Sequence, residues 1–122
     1  MAIVGLIPGD GLIESLGAKE AESLIKIPLW SSTKNKSAVA NAFGHWMKHA
    51  GEFSEFQNAK EYVEGARNFL TYPPAGALTK VRSNGDTLIY DAATNTFGSR
   101  AASGAPRTMF RPQDGIDYWN RQ

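Results

Sequence analysis

Apolar residues recur along this chain at two different periods, and the change of period divides it. From residue 37 to 72 the period is helical. Val39, Phe43, Trp46, Ala50 and Phe53 fall three and four apart and draw one apolar stripe. The opposite stripe carries Asn41, His45, His49 and Glu52, with Lys48 beside it, and Gly51 loosens the end of this helix. A second helix is predicted from Asn58, because Asn58 and Glu61 have the Asn-x-x-Glu spacing that resembles a capping box. Ala59, Val63, Ala66 and Leu70 form its apolar line, and Pro73 with Pro74 ends it.

From residue 77 the period falls to two. ALTKVR, TLIYD, NTFGSR and PRTMFR read as four strands separated by SNGD, DAATN and AASGA. Asn84-Gly85 between two alternating runs predicts a tight hairpin of type I′, which needs positive φ at both central residues. In the fourth strand Thr108 and Phe110 share one face, and Arg107, Met109 and Arg111 the other. The chain closes on PQDGIDYWNRQ, a turn and one helical turn. Helices followed by hairpin-linked strands predict an α+β fold, with the N-terminal helices packed on one face of a four- to five-stranded antiparallel sheet.

Residues 1–35 are organised differently. IPGDG reads as a turn and LIESLGAKEAESLIKI as a short amphipathic helix with Leu12, Leu16, Leu24 and Ile27 on one face. Pro28 and SSTKNKS read as a linker. Residues 1–35 are therefore expected to be a linker or the tail of an upstream module, and residues 36–122 the functional domain.

Composition narrows the chemistry. A chain of 122 residues suits one domain with a real core. It has no cysteine, which removes disulfides, iron–sulfur clusters, thiol nucleophiles and thiolate zinc sites. No apolar run approaches the roughly 20 residues that span a bilayer. MAIVGLIPGDGL lacks the basic start and long apolar stretch of a signal peptide. The net charge of +1 is unevenly spread: residues 76–122 hold four acids against Lys80, Arg82, Arg100, Arg107, Arg111 and Arg121. That bias fits a partner carrying phosphate, or a solvated surface with incidental arginines.

Two stretches carry candidate chemistry. HWMKHAGEF, residues 45–53, holds both histidines four apart, with Lys48 beside His49. Zinc would need a third ligand, and Trp46 occupies the position where a zincin has its glutamate. Half-exposed helix residues without a special role are the plain alternative. Lys48 next to His49 favours a third reading, since a cation depresses an imidazole pKa and can touch phosphate. RNA cleavage without a metal needs a base for the ribose 2′-hydroxyl, an acid for the departing 5′-oxygen and cations around the phosphorane. Histidine serves both proton transfers near neutral pH, and lysine or arginine holds the phosphate. The second stretch, RTMFRP, places Arg107 and Arg111 around Thr108 and Phe110, a hydroxyl beside an aromatic able to bind phosphate and stack a base, or a strand hydroxyl and a core ring. Tyr118 is a further stacking candidate or a C-terminal anchor, and Lys80 and Arg82 are phosphate contacts or edge-strand charges.

Three stretches taken in order, NAFGHWMKHAGEFSEFQNAKEYVEGARNFL, LTKVRSNGDTLIYDAATNTFG and RTMFRPQDGIDYW, resemble the C-terminal toxin domains of contact-dependent growth inhibition proteins, over roughly residues 38–119. The Lys-His pair also resembles that of the colicin D nuclease, in the barnase–EndoU–colicin–RelE group of metal-independent ribonucleases. The resemblance implies a tRNA substrate, no cofactor, a 2′,3′-cyclic phosphate product and a cognate immunity protein bound one to one. A host activating factor is an open possibility. The resemblance also implies delivery from the surface of a producing bacterium into the cytoplasm of a target cell. It carries over a catalytic His49 with Lys48, and a hydroxyl–aromatic pair at Thr108 and Phe110, where the family has serine and tryptophan. Trp46 stands where colicin D has a further basic residue. His45, one turn from His49, is the candidate second proton-transfer group, with base and acid not assigned between them. Arg107 and Arg111 are expected at the phosphate, and Thr108 either on the phosphate or orienting His49. The rival readings are a metal-dependent DNA nuclease toxin and a non-catalytic RNA-binding module.

Overall fold

The computed structural model describes residues 27–122. Its fold is α+β. Among the described residues, helix α1 (Ala38–His49), a 3-10 turn (Ala50–Glu52) and helix α2 (Ala59–Thr71) precede four strands, β1 (Leu78–Val81), β2 (Thr87–Asp91), β3 (Thr96–Arg100) and β4 (Pro106–Phe110). A short helix, α3 (Ile116–Asn120), follows. The strands form one antiparallel meander in the order β1-β2-β3-β4. The expected helix over residues 12–27 lies outside the described residues, Ile27 apart. Among the described residues no helix is long and apolar enough to cross a membrane.

Local sequence explains each boundary. Ser37 caps α1, its hydroxyl accepting from the Ala40 N–H at 3.1 Å. Asn58 caps α2 by accepting from the Glu61 N–H at 2.9 Å, and the Glu61 carboxylate accepts in return from Gln57 N–H at 2.7 Å. The reciprocal box thus closes one residue earlier than expected. The β1–β2 turn differs from the expected type I′. Gly85 alone in it has positive φ, at 93°, and its N–H bonds the Arg82 carbonyl at 2.9 Å. That is the longer hairpin loop in which the glycine takes the left-handed position after the turn. The Asn84 side chain stays within it, accepting from the Asp86 N–H at 3.0 Å.

Two clusters fill the two faces of the sheet. On one, α2 buries Tyr62, Val63 and Ala66 in a cluster with Met109, Trp30 and Phe53. Gly98 lets the helix approach, since a Cβ there would lie 2.8 Å from Leu70 Cδ2. Tyr62 anchors the helix to the sheet by donating to the Met109 carbonyl at 2.6 Å. On the other face α3 lays Trp119 over Leu88, Tyr90 and Phe97, with Phe110 and Tyr118 at the margin. Residues 30–35, within the stretch expected to be a linker or tail, pack against the rest of this structure. Trp30 is 1% exposed in the core, and the Ser31 N–H bonds the Pro106 carbonyl at 2.8 Å.

The orientation of α1 corrects the expected stripe. Val39 and Phe43, predicted for the core, are 66% and 53% exposed, while Asn41, Ala42 and His49 are buried. Partners found far along the chain decide this. Asn41 donates its amide to the Ser31 carbonyl at 2.9 Å, and His49 finds Glu52 and Phe110. A polar side chain with its hydrogen bonds met is cheap to bury. Val39 and Phe43 instead line a surface groove of about 360 Å³ between α1 and α2.

Candidate active site

The two histidines turn inward because α1 runs beside β4, the edge strand that carries Thr108 and Phe110. His45 Nδ1 lies 3.2 Å from Thr108 Oγ1. One turn later the His49 ring stacks on Phe110, centroids 5.3 Å apart. The two imidazoles are themselves 6.1 Å apart. The hydroxyl–aromatic pair of the strand therefore matches the histidine pair of the helix, turn for turn. Residues spaced two along a strand advance about 6.6 Å and residues four apart on a helix about 6 Å, which is why the pairs meet in step.

The surroundings of the two rings differ. His49 is 9% exposed, and its Nδ1 is 2.8 Å from Glu52 Oε2. Glu52 is fixed in turn: its Oε1 accepts from the Arg111 backbone N–H at 2.8 Å, and its carbonyl accepts from Arg111 Nη1 at 2.9 Å. A carboxylate on Nδ1 sets the ring's orientation and its tautomer, leaving Nε2 for chemistry. His45 is half-buried and opens on a small pocket of about 160 Å³ lined by Lys36, Asn41, Gly44 and Lys48. Trp30 packs behind it at 5.6 Å. Burial, above all, and then the charges of His49, Lys48 and Lys36 hold the His45 pKa below the usual 6.5. His45 is therefore a neutral imidazole at physiological pH, suited to accepting a proton.

The expected site residues divide into those gathered here and those used elsewhere. His45, His49, Lys48, Thr108 and Phe110 converge, and Tyr118 meets Phe110 edge-on at 5.3 Å. Arg111, expected at the phosphate, spends its donors inside the protein. Besides Glu52 it forms a fork with Glu55 at 2.7 and 3.1 Å, bonds Thr96 Oγ1 at 3.2 Å and lies over the Phe53 ring. The fork with Arg111 also draws the Glu55 pKa down. Arg107, expected at the phosphate too, pairs with Asp86 at 3.0 Å and remains about half exposed. A bulge opposite Ser99 and Arg100 leaves Arg107 without a partner in the ladder, which turns it toward that hairpin.

Lys80 and Arg82 belong to the opposite edge of the sheet, about 14 Å away at three strand spacings of about 4.8 Å. Both hold the C-terminus. Lys80 Nζ donates to the carbonyls of Trp119 and Gln122 at 3.0 and 3.3 Å, and Arg82 bonds the Gln122 side chain at 2.9 Å.

Two residues that matter to the geometry were not singled out in the sequence. Lys36 faces the pocket from a stretch read as linker, and Glu52 orients His49 from what looked like an exposed stripe. The i, i+3 spacing of His49 and Glu52 was a signal for the second; nothing local announced the first.

Among the described residues no group of three or more His, Asp or Glu side chains is arranged to hold a metal ion. No protein-family model matches the chain, and no curated protein is similar enough to it to match.

Proposed function

We propose that this domain is a metal-independent endoribonuclease that cleaves by attack of a ribose 2′-hydroxyl on the adjacent phosphorus. The observation that carries the reading is the pair of imidazoles, 6.1 Å apart, seated against Thr108 and Phe110 with one opening on a lysine-lined pocket. His45 Nε2 takes the 2′-hydroxyl proton while Thr108 holds Nδ1. The 2′-oxygen bonds to phosphorus, the phosphorus–5′-oxygen bond breaks, and protonated His49, turned by Glu52, gives its Nε2 proton to the leaving oxygen. The products are a 2′,3′-cyclic phosphate and a 5′-hydroxyl. Lys48 offsets the charge that grows on the phosphorane, and Arg111 acts through Glu52 as a positioning residue. Two proton-transfer groups of this kind each contribute about 10²–10⁴ in rate.

The resemblance to growth-inhibition toxins supports tRNA as the substrate and a setting in which an immunity protein restrains the enzyme before delivery to a neighbouring cell. Phe110, stacked on His49, and Tyr118, edge-on to Phe110, are partly exposed rings on which a base would stack.

The test is incubation of the purified domain with total bacterial RNA in excess chelator, with mapping of new ends. Fragments ending in 2′,3′-cyclic phosphate and beginning with a 5′-hydroxyl are expected. Cleavage that appears only on adding a divalent ion would favour the metal nuclease, and bound but intact RNA would favour a binding module.

A further inference from the structure

We infer that the pocket formed by Lys36, Gly44 and Lys48 beside His45 is a phosphate-binding site, with Lys36 as its principal ligand. The proposal rests on the reading above for its RNA substrate, though not for its ligand chemistry. Three features point to an anion. Every ionisable side chain lining the pocket is basic: Lys36, Lys48 and His45. The pocket's volume, about 160 Å³, leaves room for a tetrahedral oxyanion. Gly44 presents no side chain to the pocket, which leaves room for the Lys36 ammonium against the helix. A Cβ at Gly44 would already stand 3.4 Å from Lys36 Nζ, so the ammonium lies directly above the helix backbone at that point.

Lys36 is also held in place by its backbone. It closes a turn in which Lys36 N–H donates to Thr33 Oγ1 at 3.0 Å and Thr33 N–H donates to the Lys36 carbonyl at 2.9 Å. The next residue, Ser37, is the N-cap of α1. The base of the side chain is therefore fixed relative to His45, which lowers the entropy lost when it takes a ligand. Asn41 ties the preceding segment to α1, since its amide donates to the Ser31 carbonyl. Two ammonium groups converging on one small pocket without an acid among its walls repel each other, and a dianion between them relieves that repulsion.

In the cleavage reaction this pocket takes the non-bridging oxygens of the reacting phosphate. That ligand sits next to the His45 ring, so filling the pocket also opposes the cationic field that lowers the His45 pKa. Free inorganic phosphate and the phosphate of an RNA share this chemistry, and the two arms of the test separate them.

The first arm titrates inorganic phosphate into the full chain and follows the Gly44 amide and the His45 ring by NMR. Wild type should show saturable shifts at both residues, with the His45 pKa moving upward. Lys36→Met should weaken binding about tenfold or more, the loss of one charge-assisted contact, and Lys36→Arg should recover most of it. Lys34→Met removes the same charge two residues away on the exposed turn and should leave binding within about twofold of wild type. Equal losses in Lys34→Met and Lys36→Met, or phosphate shifts unaltered by Lys36→Met, would overturn the proposal. The second arm measures RNA cleavage. A raised KM in Lys36→Met, with Lys36→Arg close to wild type, supports the site. Unchanged kcat/KM in Lys36→Met with active wild type would remove the phosphate site and leave the nuclease standing. Phosphate bound through Lys36 by a protein that cuts no RNA would keep the site and remove the nuclease.

Discussion

His45 and His49 lie on one face of one helix, a single turn apart, and the protein treats them differently. His49 is closed in, its Nδ1 on Glu52, its ring on Phe110, and its carboxylate partner tied to the Arg111 backbone. His45 has one weak partner, the Thr108 hydroxyl, and looks into a pocket whose charged walls are lysines. The comparison shows that position on a helix does not assign a role; what the other side of each ring meets does. Around His49 the polar groups have partners: Glu52 meets the ring and the Arg111 backbone, and Arg111 meets Glu55. Around His45 positive charge is left in excess, an arrangement that costs stability unless something anionic is to be bound.

The largest effect expected from this contrast is on stability, at the closed end. His49→Ala removes a buried ring and takes from Glu52 Oε2 its imidazole partner. It should cost about 2–4 kcal/mol of unfolding free energy, read by chemical denaturation, and lose cleavage as well. Arg111→Met should come next, at about 1–2 kcal/mol, because Glu55 loses its fork and the Glu52 carbonyl and the Phe53 ring lose their guanidinium contacts, while the backbone bond to the Glu52 carboxylate stays. A phosphate ligand at that position would behave otherwise, with KM rising and the denaturation midpoint unmoved. At the open end the order reverses. Thr108→Val should slow cleavage about tenfold, the worth of one hydrogen bond to a reacting ring, and shift stability by less than about 0.5 kcal/mol. Lys48→Ala should have the smallest effect on stability, being on an exposed position.

Lys48→Ala sharpens the comparison through pH. Its ammonium is one of the charges that lower the His45 pKa, so the acid limb of the kcat/KM profile should move up toward 6.5 in the variant. The sign for stability follows from the same shift. The unfolded chain takes up the His45 proton near 6.5 and the folded protein only at lower pH. Stability should therefore hold above that value and decline as pH falls below it, toward the folded pKa, and His45→Gln should flatten that decline.

Much of the fold was legible. The switch from helical to alternating spacing fixed the order of elements, and the capping residue of α2 was visible as Asn58 three before Glu61. The strands fall where alternation predicted them because their burial depends on near neighbours in a meander, which local pattern records. The face of α1 was misread for the opposite reason. Asn41, His45 and His49 read as the polar stripe opposite the core, and their partners, Ser31, Thr108 and Phe110, come from other parts of the chain. Val39 and Phe43 looked like core and border a surface groove instead. The hairpin was located correctly and typed wrongly, since Asn84 spends its side chain on Asp86 and keeps negative φ. At the candidate site the histidines, Lys48, Thr108 and Phe110 could be named from sequence. That Arg111 would serve Glu52 rather than face solvent could not, because the two stand 59 positions apart in the chain. Lys36 was lost inside a polar stretch whose anchor, Trp30, reveals itself only once the core is assembled.

The most direct measurement compares His45→Gln with wild type for RNA cleavage in excess chelator, alongside thermal melting of both proteins. Glutamine keeps a polar contact for Thr108 but cannot carry a proton between ribose and solvent. Cleavage should fall about a hundredfold or more while melting is little changed. Wild-type cleavage by that variant, with its fold intact, would contradict the account.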